Sequence, residues 1–418
     1  AYSEALHHYM RARTCAEQLS RLDLVAVMDH AIGRVHDARG EVTQASRAYA
    51  QALQSTHDPA QRSAIKVDLG AAYVNRADAR GVTYLQEALN ELDPHSQPRQ
   101  VVMATLWLAR YYHLCAQYTQ ALAYLDRARV LIEPLNDTTI LRLFYGSMAI
   151  VHMYSARFEE SMDFARRGVA LGEAHQDARA VVLGNLYLAE NSEYLGRWHD
   201  TQEFAMRGRR AAQQSGWHSM EVWTELERLV VAYYRGNLDA ASQLAHECRA
   251  TAHDLHELRA VLHTEKLLVL TETARGHEEI AYRIGEAAVH AVDEVVGVGI
   301  RCWIRLALAA VHAQREEWPQ AVALYEECNM LLAGGENRII QMELGAPMAE
   351  AYAALGRLHE AAALIADTLA LTQRAGARHY EAMAQRVQGQ VFAAQGEHDR
   401  ALAALDRAMT ICTALGSH

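Results

Sequence analysis

The stretches GRWHDTQEFAMRG (196–208) and GNLDAASQLAHEC (236–248) share one plan, as do GRLHEAAALIADT (356–368) and GEHDRALAALDRA (396–408). Each opens on Gly, continues with polar residues, and places a small residue five positions on. The openings Gly196, Gly236, Gly356 and Gly396 fall on a step of 40, and Ala116, Ala156, Gly276 and Glu316 occupy the same step. Five residues on stand Ala121, Ser161, Thr201, Ala241, Ala281, Ala321, Ala361 and Ala401. Seven further on stand Ala128, Gly168, Gly208, Cys248, Ala288, Cys328, Thr368 and Ala408. A fixed period without insertions marks an array of stacked units.

Within one unit, two amphipathic segments flank the Gly turn, as in LDLVAVMDHAIGRVHDARG (22–40) and EVTQASRAYAQALQS (41–55). Both are too long for strands, and their apolar residues recur at i, i+3 and i+4. Gly ends the first helix because it adopts a left-handed conformation cheaply. One helical hairpin cannot bury its apolar face, but a stack of hairpins can. The expected fold is all-α, an α-solenoid of about ten two-helix repeats with a 40-residue period, wound as a right-handed superhelix. It is read as a single domain over 1–418, opening on a half repeat (1–20). Looser repeats follow over 21–100, then regular 40-residue repeats over 101–418. The chain starts inside the array and without Met, so it is expected to be cut from something larger.

These residues resemble the tetratricopeptide repeat (TPR). Leu108, Ala109, Tyr112, Tyr118, Ala121, Leu125 and Ala128, with Pro134, follow its signature in the third unit. Ile32 and Gly33 do so in the first, and Gly389, Phe392, Gly396, Ala401, Leu405 and Ala408 in the last. The period departs from the usual TPR length of about 34 residues, so longer helices or longer inter-unit turns must absorb the difference. That lengthening is similar to the sensor superhelix of the maltose-regulon activator (MalT) family. It is similar also to arrays attached to other STAND signalling ATPases and to ATPase-linked cyclases. The resemblance implies a superhelix that senses a ligand or partner, while separate switch and output domains act on the result.

Composition narrows the function. Half the 418 residues are hydrophobic (51%), 22% are charged, and the net charge is −11. A net negative chain argues against nucleic acid or an anionic membrane as partner. The six cysteines are scattered without C-x-x-C spacing, which fits reduced thiols in a cytoplasmic protein. No run of about 18 apolar residues appears.

Lys66 and Lys266 are the only lysines, and neither follows a Gly-rich loop, so no P-loop is present. No G-x-S-x-G or S-x-x-K stands in a recognisable setting. GHEEI (276–280) lacks the second His of a zinc-protease helix, since position 281 is Ala. AHECRATAHDLHEL (245–258) gathers His246, Cys248, His253 and His256, ligand types that zinc favours. The register reassigns them. Cys248 takes a small-residue packing position, and His256 aligns with Asn136, Gly216, Gly376 and Gly416, where a left-handed residue stops the second helix. His246 and His253 lie about 10 Å apart along one helix. No metal, no cofactor and no enzymatic activity are expected.

Binding is expected on the concave face, which the first helices line. Tyr154, Tyr194 and Tyr234 form a ladder, and Trp223 and Trp303 stand at equivalent places two units apart. Such aromatics either fill gaps between helices or anchor a ligand. Charges also concentrate on first helices that should be largely apolar: Arg110, Glu190, Glu193, Glu225, Arg228, Glu265, Lys266, Glu272, Arg301 and Arg305. They either pair between helices or meet a ligand in the groove. The candidate groove residues are Arg110, Tyr154, Glu190, Glu193, Tyr194, Trp223, Tyr234, Lys266 and Trp303. The expected partner is a protein, a peptide or a small-molecule effector. Pro319 suits the first turn of a second helix, whereas Pro347, just after Gly345, predicts a kink or a late start in a first helix.

Overall fold

The computed structural model describes residues 2–39, 41–292 and 297–416, and among them every regular element is an α-helix. Contacts divide the chain into two compact units, Ala1–Ser147 and Met148–His418. Unit 1 holds α1 (Tyr2–Gln18) and the hairpins α2 (Leu22–Ala38)/α3 (Val42–Ser55), α4 (Pro59–Val74)/α5 (Arg80–Glu91) and α6 (Pro98–Leu114)/α7 (Tyr118–Leu135). The boundary falls within α8 (Thr138–Tyr154). Unit 2 continues with α9 (Phe158–His175), then α10 (Ala178–Tyr194)/α11 (Trp198–Ser215), α12 (His218–Tyr234)/α13 (Leu238–Asp254) and α14 (Leu258–Ala274)/α15 (Glu278–Val292). It ends with α16 (Val298–Gln314)/α17 (Trp318–Leu332), α18 (Arg338–Ala354)/α19 (Leu358–Ala375) and α20 (Arg378–Ala394)/α21 (His398–Leu415).

The 40-residue register is visible in the backbone. Positions 116, 156, 196, 236, 276, 316, 356 and 396 all have positive φ, and so do 136, 176, 216, 256, 376 and 416. Gly occupies most of them. Ala116, Ala156 and Glu316 adopt the same conformation at a cost of about 1 kcal/mol each, which the repeated hairpin packing over-determines. The first helices of the regular repeats are 17 residues long, and most turns have only two or three residues. Longer helices, rather than longer turns, therefore carry the extra length over a common TPR. The looser second repeat shows the converse: α5 has only 12 residues.

Small residues at the two register positions sit in helix interfaces. Ala121, Ser161, Thr201, Ala241, Ala281, Ala321 and Ala361 are fully buried, and Cys248, Ala288, Cys328 and Thr368 nearly so. Larger side chains there would force the helices apart. Gly345 does the same within α18, since a Cβ at that position would lie 2.0 Å from Thr368 Oγ1 of α19.

The late helix start predicted at Pro347 is not found. The Asn337 side chain accepts a hydrogen bond from the Ile340 N–H (3.2 Å) and starts α18 at Arg338, so Pro347 is absorbed inside the helix. Pro319 sits in the first turn of α17 as expected. Among the described residues, no helix is long and apolar enough to cross a membrane.

Candidate functional site

The first helices of unit 2 curve until α10 and α20, five repeats apart, touch. Tyr194 of α10 stacks on Tyr380 of α20 with ring centroids 5.9 Å apart, and on Phe158 of α9 at 5.2 Å. Tyr234 of α12 reaches the same corner, its hydroxyl 3.1 Å from that of Tyr380 and its ring 4.1 Å from His379. The hydroxyls of Tyr194 and Tyr380 each donate to Glu343 Oε1 of α18 at 3.4 Å. Glu343 in turn pairs with Lys266 of α14 at 3.5 Å, both side chains largely buried (9% and 13% exposed). The Lys266 ammonium also lies over the face of Trp303 of α16, 5.0 Å from the ring centre. Tyr154 of α8 flanks Trp303 at 6.4 Å. Trp223, His263 and Trp303 then form an edge-to-face run with spacings of 5.3 and 5.2 Å.

Eight of the nine groove residues read from the sequence thus lie on the inner sides of α8, α10, α12, α14 and α16. Tyr194 and Trp303 serve both readings. They belong to the packed core of unit 2, while the Tyr194 hydroxyl and the Trp303 face turn to polar partners. Arg110 lies apart, in unit 1. It is exposed, donates to Asn75 Oδ1 at 3.3 Å and covers the Trp107 ring.

The other first-helix charges divide sharply. Glu225 pairs with Arg209 and Arg228, Glu265 with Arg249, and Arg305 with Glu327. Glu272 accepts from Ser242, Arg275 and His277. These pairs bind one helix to its neighbour. Glu190 and Glu193 of α10 and Glu227 of α12 instead face the interior, and none of them has an ion pair among the described residues. Among the described residues, Glu190 Oε2 and Glu227 Oε2 find no hydrogen-bond partner, nor does Trp303 Nε1.

Burial dominates the electrostatics of this interior. It pushes Glu190 up to about 8. Glu193 also rises to about 8 through burial, against the attraction of Lys266 and with the repulsion of Glu343 and Glu190. Glu227 is raised well above the carboxylate range by burial and then by Glu193 and Glu190. In the same surroundings His263 falls to about 3 and His379 to about 4, because burial disfavours the imidazolium. Glu190, Glu193 and Lys266 nevertheless keep part of their surface accessible. Burial thus favours the protonated carboxyl, a form able to donate as well as accept a hydrogen bond, beside flat aromatic faces.

Sequence reasoning missed Glu227, Glu343, His263, His379 and Tyr380. His263 and Glu343 lie on the same step of 40 as Trp223 and Trp303, so that ladder could have revealed them. Nothing local points to His379 and Tyr380, which arrive only through curvature. The histidine and cysteine cluster resolves as packing and a helix stop. Cys248 is buried among Val222, Leu226 and Ala260, His253 sits in the last turn of α13, and His256 takes φ +57°.

Comparison with known proteins agrees with this architecture. Residues 341–414 and 30–63 match family models described as tetratricopeptide repeat. The chain is a TPR-type α-solenoid. Its fold is similar to the crystal structure of a Rap protein complexed with competence and sporulation factor (TM-score 0.62, 12% identity, 85% of this chain and 99% of that one). It is similar also to the Rap conjugation gene regulator of the plasmid pLS20 in complex with a Phr peptide (TM-score 0.55, 14% identity, 92% and 96%). A third likeness is to a STAND protein with a tetratricopeptide repeat sensor from Pyrococcus horikoshii (TM-score 0.52, 14% identity, 79% and 53%). At these identities the likeness is one of fold. No curated protein matches the chain by sequence.

Proposed function

We propose that this chain is a non-enzymatic sensor of a peptide or other partner. In this reading it belongs to a larger cytoplasmic signalling protein of the STAND type and binds its ligand in the interior of unit 2. The observation that carries this is the convergence of Glu190, Glu193, Glu227, Lys266, Trp223 and Trp303 from four first helices onto one partly accessible interior, with polar atoms that the described residues do not satisfy. Buried polar groups left unpaired are costly, and a ligand that satisfies them recovers that cost as affinity. Because the wall is shared by helices of successive repeats, an occupant bridges them and stiffens the array. That coupling is how a solenoid would report occupancy to switch and output domains. Solved Rap and STAND sensor structures with this fold support the reading by analogy.

The test is hydrogen–deuterium exchange on the purified chain, with and without a positional-scanning library of acetylated, amidated hexapeptides. Binding should slow exchange in α10, α12, α14 and α18. Protection confined to outer helix seams, or none with any pool, would sink the interior site. A stand-alone TPR scaffold that recruits peptides is the second reading, supported by the fold likeness to a Rap regulator solved in complex with a Phr peptide. A P-loop domain in the same reading frame separates the two.

A further inference from the structure

Unit 2 gathers more carboxyl groups than cations in its interior, which its packing does not require. Four glutamates face the interior: Glu190 and Glu193 from α10, Glu227 from α12 and Glu343 from α18. The facing cation is Lys266, and it is already engaged by Glu343 at 3.5 Å. Arg259, the other cation acting on this region, is exposed and acts on Tyr154 and His263. The groups arriving from α14 and α20, His263, His379 and Tyr380, add no positive charge near neutrality, since burial holds both imidazoles neutral. Glu227 is the sharpest case. The residue is only 5% exposed, its Oε2 has no partner among the described residues, and it sits within the field of Glu190 and Glu193.

A buried carboxyl that is protonated near neutrality still leaves its donor and acceptor unpaired, and a cation brought beside it lets it ionise into a charge-assisted pair. Apolar side chains would avoid that cost, so three such groups at one place point to a ligand. The wall beside them is built for positive charge as well. The Lys266 ammonium rests on the Trp303 face at 5.0 Å, and Trp223 and Tyr154 extend that aromatic surface. An anionic ligand would meet three uncompensated carboxyl groups.

Resting on the reading of this interior as the ligand site, we propose that Glu190, Glu193 and Glu227 form a cation-recognition subsite that takes an ammonium or guanidinium group of the ligand against the Trp223–Trp303 wall. A basic side chain of a peptide and a free polyamine share this chemistry. A guanidinium fits best in geometry, because it can stack on an aromatic face and bridge two carboxylates at once.

Isothermal titration of the full chain tests it with four probes: Nα-acetyl-arginine amide, its neutral citrulline analogue, spermidine, and Nα-acetyl-glutamate amide. At least one cationic probe should bind about tenfold or more tightly than the citrulline and glutamate probes. Arginine amide without spermidine identifies a peptide side chain as the source, and spermidine without arginine amide a free polyamine. Glu227→Gln and, separately, Glu193→Gln should each weaken the cation about tenfold, with unchanged circular dichroism. Lys266→Met, which removes the competing cation, should tighten it. Equal binding of arginine and citrulline probes, preference for glutamate, no binding of either cation, or indifference to both glutamine variants overturns the subsite. If neutral hexapeptides still protect the interior helices from exchange, the sensor reading stands without it. If no peptide does, both fall.

Discussion

Glu225 and Glu227 stand two residues apart on α12 and meet opposite fates. Glu225 lies in the seam between helices, tied to Arg209 at 2.5 Å and Arg228 at 2.8 Å. Glu227 faces the interior, buried and without a partner. The contrast repeats along unit 2. Seam charges at Glu265 and Arg305 are paired across helices and Glu272 is held by Ser242 of α13 and by Arg275, whereas Glu190 and Glu193 have no ion pair among the described residues. Seam groups hold one helix to the next, and their removal strands a partner. Glu190, Glu193 and Glu227 hold no ion pair among the described residues, so their removal should relieve the fold and cost only binding.

The largest effect expected from this contrast is at Glu272. Burial works against its charge, but hydrogen bonds from Ser242, His277 and Arg275 outweigh it and keep the carboxyl below the ordinary range. Glu272→Ala takes the acceptor from Ser242 and His277 and leaves Arg275 with Asp239 and Ser242. Because Arg275 is partly exposed, the expected loss is about 2 kcal/mol, below the cost of a fully buried pair. Urea denaturation should show it as a lower midpoint, while a stabilised variant would erase the distinction between seam and interior.

A smaller effect concerns pH. Glu190 and Glu193 titrate near 8 in the folded chain and near 4.5 when unfolded. Between those values the folded state holds protons the unfolded state has lost, so stability falls as pH rises through the window and levels off above it. The double variant Glu190→Gln/Glu193→Gln should flatten the fall in urea midpoint between about pH 5 and about pH 9. The lowered imidazoles His263 and His379 act on the other side: below their usual 6.5 the unfolded chain takes up protons that the folded one refuses. That acid limb should persist in the double variant. An unchanged alkaline limb would mean that these carboxyls are solvated rather than enclosed.

The smallest effect is at Arg110, which is exposed in unit 1. Arg110→Ala should change stability by no more than about 0.5 kcal/mol and leave probe binding to the unit 2 interior unchanged. A clear loss of binding would extend the site beyond unit 2.

Most of the fold was legible because a hairpin repeat is a local object. Small residues at 121, 161, 201 and their successors mark helix interfaces, and Gly or His256 marks helix ends, by sterics that act over a few residues. The late start read at Pro347 fails because the cap at Asn337, ten residues earlier, sets the start of α18. The candidate site was half legible. The Tyr154–Tyr194–Tyr234 ladder and Trp223–Trp303 emerged from the period, and Lys266 stood out as one of two lysines. Seam and interior charges were not separable, because residues such as 225 and 227 differ by about half a helical turn, and both faces are covered by protein.

The sequence by itself determined that this chain is a stack of helical hairpins, where each hairpin turns, and which small residues let helices meet. Only the tertiary structure decided which charges look inward and that Tyr234 meets Tyr380, 146 residues away. Hairpin identity is encoded in contacts a few residues apart. The meeting of α10, α12 and α20 depends on small rotations accumulated from repeat to repeat, which no short stretch of sequence specifies.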